Sequence, residues 1–97
     1  MIGHHGLQFD WDEGKAFRNR ITHKVSFTEA LTVFGDPDAR LLPDSKHSQD
    51  EERWHTIGFS NKGRLLTVVH TYEGDYIRII SAWRATPKER RDYEETC

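Results

Sequence analysis

The order of predicted elements makes this chain an α+β domain: a strand, two helices, a meander of strands and a last helix. Two observations carry that class. Apolar residues with period two cluster in the second half of the chain and do not alternate with helical segments, which argues for one antiparallel sheet. Two capped helix starts, at Ser26 and Thr86, lie on either side of that cluster. The expected architecture is a small antiparallel sheet packed against N-terminal helices, with a C-terminal helix. All 97 residues form a single domain, with residues 1–6 expected to be disordered and the fold running from Leu7 to near Glu95.

Leu7, Phe9 and Trp11 alternate with Gln8 and Asp10, the pattern of a half-buried strand. Asp12 reads as the N-cap of a helix over Glu13–His23, with Phe17 and Ile21 four apart as its apolar face and Asn19 and His23 sharing another. Ser26-Phe27-Thr28-Glu29 is a capping box, in which Ser26 accepts from the Glu29 N–H and Glu29 reaches back. Phe27, Ala30, Leu31 and Phe34 then follow helical spacing, and these large side chains should face the sheet. Gly35 should end the helix in the left-handed region, and Asp36-Pro37 prevents its resumption.

A short edge strand from Ala39 ends at Pro43, and an acidic loop leads to Glu52. Strands over Arg53–Phe59, Arg64–Tyr72 and Tyr76–Trp83 are joined by turns at Ser60–Gly63 and Glu73–Asp75, as in antiparallel hairpins. Ile77, Ile79, Ser81 and Trp83 are expected in the core. Arg78 and Arg84 then fall on the opposite side of the same strand. Thr86-Pro87-Lys88-Glu89 starts a nearly all-polar helix, with Thr at the cap and Pro at the first position.

Composition narrows the function. Apolar residues are 35%, charged residues 31%, and mean hydropathy is −0.81, yet 11% aromatics argue for a packed core. No apolar run is long enough to span a membrane, and the start of the chain lacks a secretory pattern. Cys97 is the one cysteine, so neither an internal disulfide nor a cysteine zinc site is expected, and the expected compartment is the cytoplasm. The net charge of −2 leaves RNA binding to a local cationic face. The spacing of His4, His5, His47 and His55 fits no metal-ligand pattern, so no metal and no cofactor is expected.

No phosphate loop, nucleophile elbow or HExxH motif is present. Arg78 and Arg84 suit phosphate oxygens, which arginine binds in a fork. The bland alternative is that such arginines pair with the chain's own carboxylates. His70, at a strand end, is by residue type more often a hydrogen-bonded bystander than a catalyst, and the same holds for His55 and His47.

The ordered series Phe9-Asp10-Trp11-Asp12, Lys15-Ala16, Asn19 with His23, Val25-Ser26-Phe27, Glu51-Glu52-Arg53, Ile57-Gly58, Gly63-Arg64-Leu65-Leu66, Val68-Val69-His70-Thr71, Ile77-Arg78-Ile79-Ile80-Ser81-Ala82, Arg84-Ala85-Thr86 and Glu89-Arg90 resembles the BrnT toxins of bacterial type II toxin–antitoxin pairs. The resemblance covers nearly the whole chain. It implies a RelE-like fold and a metal-independent endoribonuclease that blocks translation. It also implies a BrnA-like ribbon-helix-helix antitoxin as partner, with operator DNA reached only through that antitoxin, and no membrane. Under it, Arg78 and Arg84 would hold phosphate and His70 or His23 would be the acid or base. Lys15, Arg64, Arg53 and Lys24 would bind RNA. Two departures stand out: Thr22-His23-Lys24 where the family usually has Lys-His-Gly, and Trp83 where it usually has a basic residue. Trp83 could stack on a base or simply pack. The competing expectation is a toxin-like domain without catalysis, acting as an antitoxin-binding co-repressor; a small metal-dependent enzyme is more distant.

Overall fold

The structure is a computed structural model that describes residues 2–4, 6–44, 46 and 52–95. Six strands form one sheet: β1 (Ile2–His4), β2 (Leu7–Asp10), β3 (Arg40–Pro43), β4 (Trp54–Phe59), β5 (Leu65–Glu73) and β6 (Tyr76–Arg84). Their order across the sheet is β1-β2-β6-β5-β4-β3, antiparallel throughout except that β2 runs parallel to β6. Helices α1 (Glu13–His23) and α2 (Phe27–Leu31) precede β3, and α3 (Pro87–Glu94) follows β6. The α+β expectation therefore holds. Within residues 1–6, Ile2–His4 pair with β2, and Gly6 (φ 81°) lies in the link between the two strands. Cys97, His5, His47 and Glu51 lie outside the described residues.

Phe9, Val25, Phe27, Ala30, Leu31, Val33, Leu66, Val68, Ile77, Ile79 and Ala82 form the buried core, with Trp11, Ala16 and Phe34 packed at its margin. The helix at Phe27 thus buries its apolar stripe on the sheet, as its spacing requires. Its ending differs from expectation. After Leu31 the chain tightens into a 3-10 turn over Thr32–Gly35, closed by the Asp36 N–H on the Val33 carbonyl, and Gly35 does not enter the left-handed region. The capping box is half made: Ser26 accepts from the Glu29 N–H, but the Glu29 carboxylate turns to Arg64 and Ser60. The box at Thr86 and Glu89 is complete.

The apolar pair on α1 is the larger correction. Phe17 and Ile21 are each 58% exposed, and Asn19 is the buried residue of the helix, at 6%. The cause lies at the edge of β6. Strand β2 accompanies β6 only from Tyr76 to Arg78; the chain then leaves the sheet into α1. The backbone groups of Ala82 need partners, and Asn19 supplies them. Its amide nitrogen donates to the Ala82 and Val25 carbonyls (2.9 Å each), and its amide oxygen accepts from the Ala82 N–H and the Ser81 hydroxyl (3.1 Å each). A side-chain amide thus stands in for a missing strand, since buried backbone donors and acceptors must be paired. Facing Asn19 toward the sheet turns Phe17 and Ile21 outward.

Candidate functional site

A bulge in β6 decides what this strand presents. Val69 pairs with Ser81, but the next residue, His70, pairs with Ile79, so Ile80 is an extra residue in β6. Side-chain alternation flips there. Ile77, Ile79 and Ala82 enter the core, whereas Ser81 and Trp83, both expected in the core, emerge on the other face with Arg78. Arg84 faces the side of Ala82 and Leu66. The expectation that Arg78 and Arg84 share a side therefore fails, because that count assumed an unbroken period of two.

Two contiguous hollows open along the emerged residues. The first, about 190 Å³, is lined by Lys15, Arg18, Asn19, Thr22 and His23 from α1 with Ile80 and Ser81. The second, about 230 Å³, is lined by Ile80, Ser81, Trp83, Val69, Arg53, His55, Asp44 and Lys46. Ile80 and Ser81 belong to both, so the two make one groove. Trp83 stands between two imidazoles: the rings of His23 and His55 each lie 5.9 Å from it, tilted by 50° and 88°. Its indole N–H donates to Glu89 of α3 (3.1 Å). His55 Nε2 lies 3.1 Å from Asp44 Oδ2, so a largely buried carboxylate orients this imidazole.

The expected site residues divide. Lys15, His23 and Arg53 meet in the groove. Arg78 shares its face but is paired with Asp10 (2.5 Å) and lies 3.9 Å from Glu73. Arg64, expected to bind RNA, binds the buried Glu29 and donates to the Lys24 carbonyl (3.1 Å), which makes it a structural anchor. Those bonds from Arg64, with Ser60, outweigh burial and hold the Glu29 carboxyl below its ordinary pKa. Lys24 caps α1 in the left-handed region (φ 61°), where a glycine would sit without strain.

His70 lies in the core, outside the groove. It is 0% exposed, 2.7 Å from Thr56 Oγ1 through Nε2 and packed edge-on against Phe34 and Tyr72. Burial, with a smaller push from His55, lowers its pKa to about 4. A neutral imidazole sealed among aromatic rings cannot reach a substrate. Among the described residues, the imidazoles that line the groove are His23 and His55.

Sequence reasoning missed Arg18, His55 with Asp44, and the outward turn of Trp83. The signal for His55 was present, since it has the parity of Ile57 and Phe59, opposite to Thr56 and Gly58. The bulge at Ile80 has no comparable signal. Among the described residues no group of three His, Cys, Asp or Glu is arranged to hold a metal ion, and no helix is long and apolar enough to cross a membrane.

A family model described as the ribonuclease toxin, BrnT, of type II toxin–antitoxin systems matches residues 11–89. Among solved structures, the Brucella abortus ribonuclease toxin BrnT is similar, with a TM-score of 0.65 and 23% identity over 82% of this chain and 97% of that one. At that identity the likeness establishes the fold. No curated protein matches the chain significantly.

Proposed function

Since the chain belongs to the BrnT family of ribonuclease toxins of type II toxin–antitoxin systems, we propose that it is an endoribonuclease that cleaves RNA without a metal, in the groove between α1 and β6. One observation carries this reading: two imidazoles and the cations Lys15, Arg18 and Arg53 converge on a single open groove of an otherwise acidic chain. A local cationic cluster is what attracts a polyanion when the net charge does not.

In such a groove the ribose 2′-oxygen attacks the adjacent phosphorus while the P–O5′ bond breaks, leaving a cyclic phosphate and a 5′-hydroxyl. One imidazole takes the 2′ proton and the other gives a proton to the 5′ oxygen; His23 and His55 are the candidates, since both line the groove and imidazole can either accept or donate a proton. Lys15 and Arg18 hold the charge that develops on the phosphate oxygens. Loss of messenger or ribosomal RNA would inhibit translation. A BrnA-like ribbon-helix-helix antitoxin would neutralise the toxin and bring it to operator DNA. The whole chain acts as one toxin domain, and a cytoplasmic location follows from that target.

The test is purified chain, free of antitoxin, incubated with RNA in EDTA. Cleavage is expected, with His23→Ala slower by roughly 10²–10⁴-fold. Arg84→Ala, altered on the far side of the sheet, should keep its activity. A second reading is a co-repressor without catalysis. The pairing of Arg78 and Arg64 with carboxylates favours it. Inertness toward RNA with antitoxin binding retained would establish that reading and end the first.

A further inference from the structure

The two halves of the groove differ in chemistry. The α1 half is cationic and polar. The other half has an apolar lining of Val69, Ile80 and Trp83, and a hydrogen-bonding rim of Asp44, Lys46, Arg53, His55 and Ser81. We infer that this second half is a nucleobase subsite, which seats the base of one nucleotide while its phosphate lies beside α1. The inference rests on RNA being the substrate.

Three features support a base over other ligands. The hollow, about 230 Å³, is smaller than the roughly 300–1,000 Å³ of sites for larger organic ligands, and so suits one planar ring system. Its lining is largely apolar, and its rim, with the Asp44 carboxylate beside Lys46, Arg53 and Ser81, offers both acceptors and donors to base edges. Trp83 forms one wall and is fixed in advance. The bulge turns it out of the core, and its indole N–H is held by Glu89. A pre-oriented aromatic wall spares a ligand the cost of ordering it. Stacking on such a ring tolerates any base, while the rim discriminates among base edges. Ser81 and Ile80 link the two halves, so base and phosphate of adjoining nucleotide parts can occupy them together.

The first arm of the test needs no catalysis. In the intact protein, the Trp83 indole N–H signal is followed by nuclear magnetic resonance, and identified by its loss in Trp83→Phe. Adenosine 5′-monophosphate and cytidine 5′-monophosphate should move that signal. Ribose 5-phosphate, which lacks a base, should move only signals of α1 such as those of Lys15 and His23. A Trp83 signal that stays put with saturating nucleotide, or that moves equally with ribose 5-phosphate, overturns the subsite. The second arm uses a short RNA with one abasic ribonucleotide beside the cleaved linkage; its KM should rise roughly 5- to 150-fold against the intact RNA. An unchanged KM and kcat also overturns the subsite, while leaving the ribonuclease reading intact. If wild-type protein cleaves no RNA, that reading fails by itself, and the resonance arm still decides whether a base binds here.

Discussion

Acidification should destabilise this protein through one buried imidazole. His70 is fully buried between Phe34 and Tyr72, at ring distances of 5.0 and 5.3 Å, and its Nδ1 has no hydrogen-bond partner among the described residues. Its pKa falls from 6.5 to about 4 on folding, chiefly by burial. Below pH 6.5 the unfolded chain takes up a proton that the native state refuses until near pH 4. The contribution is thus complete above pH 6.5 and is lost as pH falls toward 4. At 1.36 kcal/mol per pH unit, that interval is worth about 3 kcal/mol. Urea denaturation at pH 7 and pH 4 measures it. His70→Gln keeps a polar partner for Thr56 but does not titrate, so its loss of stability over the same interval should be smaller by about 3 kcal/mol. Carboxylates titrate in both proteins and cancel in the comparison. Equal losses in the two proteins would refute the argument. Any ribonuclease activity per folded molecule of His70→Gln should match wild type with the same pH profile, whereas a catalytic His70 would abolish or shift it.

The other expectations concern anchors and the partner. Arg64→Ala strands the 3%-exposed Glu29 carboxylate and should cost about 3 kcal/mol in denaturant unfolding, with no defect in RNA affinity beyond the loss of folded protein. Asn19→Ala leaves the Ala82 N–H and two carbonyls without their partner; a loss of about 3 kcal/mol by thermal unfolding is expected, and a negligible one would mean that water replaces the amide. Saturation with the antitoxin at 100 times its dissociation constant should stabilise the toxin by about 2.7 kcal/mol, and an unchanged melting temperature would contradict direct binding.

Local chemistry in the sequence determined a good deal by itself. The caps at Asp12, Ser26 and Thr86, the α2 stripe and the hairpin turns were all legible. Each depends on neighbours a few residues apart, where backbone geometry is nearly independent of the rest of the fold. The resemblance carried by the ordered motifs pointed to the BrnT family, and two of the residues it singled out, His23 and Lys15, line the groove.

Only the tertiary structure decided which faces those elements turn. The α1 helix exposes Phe17 and Ile21 because Asn19 must serve the backbone of Ala82, 63 residues away in sequence, a demand created where β2 leaves the sheet. The extra residue at Ile80 reverses the strand, moving Trp83 and Ser81 into the groove and Arg84 away from it. Likewise His70 became core and Arg64 an anchor through partners remote in the chain, Phe34 and Glu29. Side-chain parity is a property of one strand, but register and edge satisfaction are properties of the assembled sheet, and there a shift of one residue exchanges the two faces.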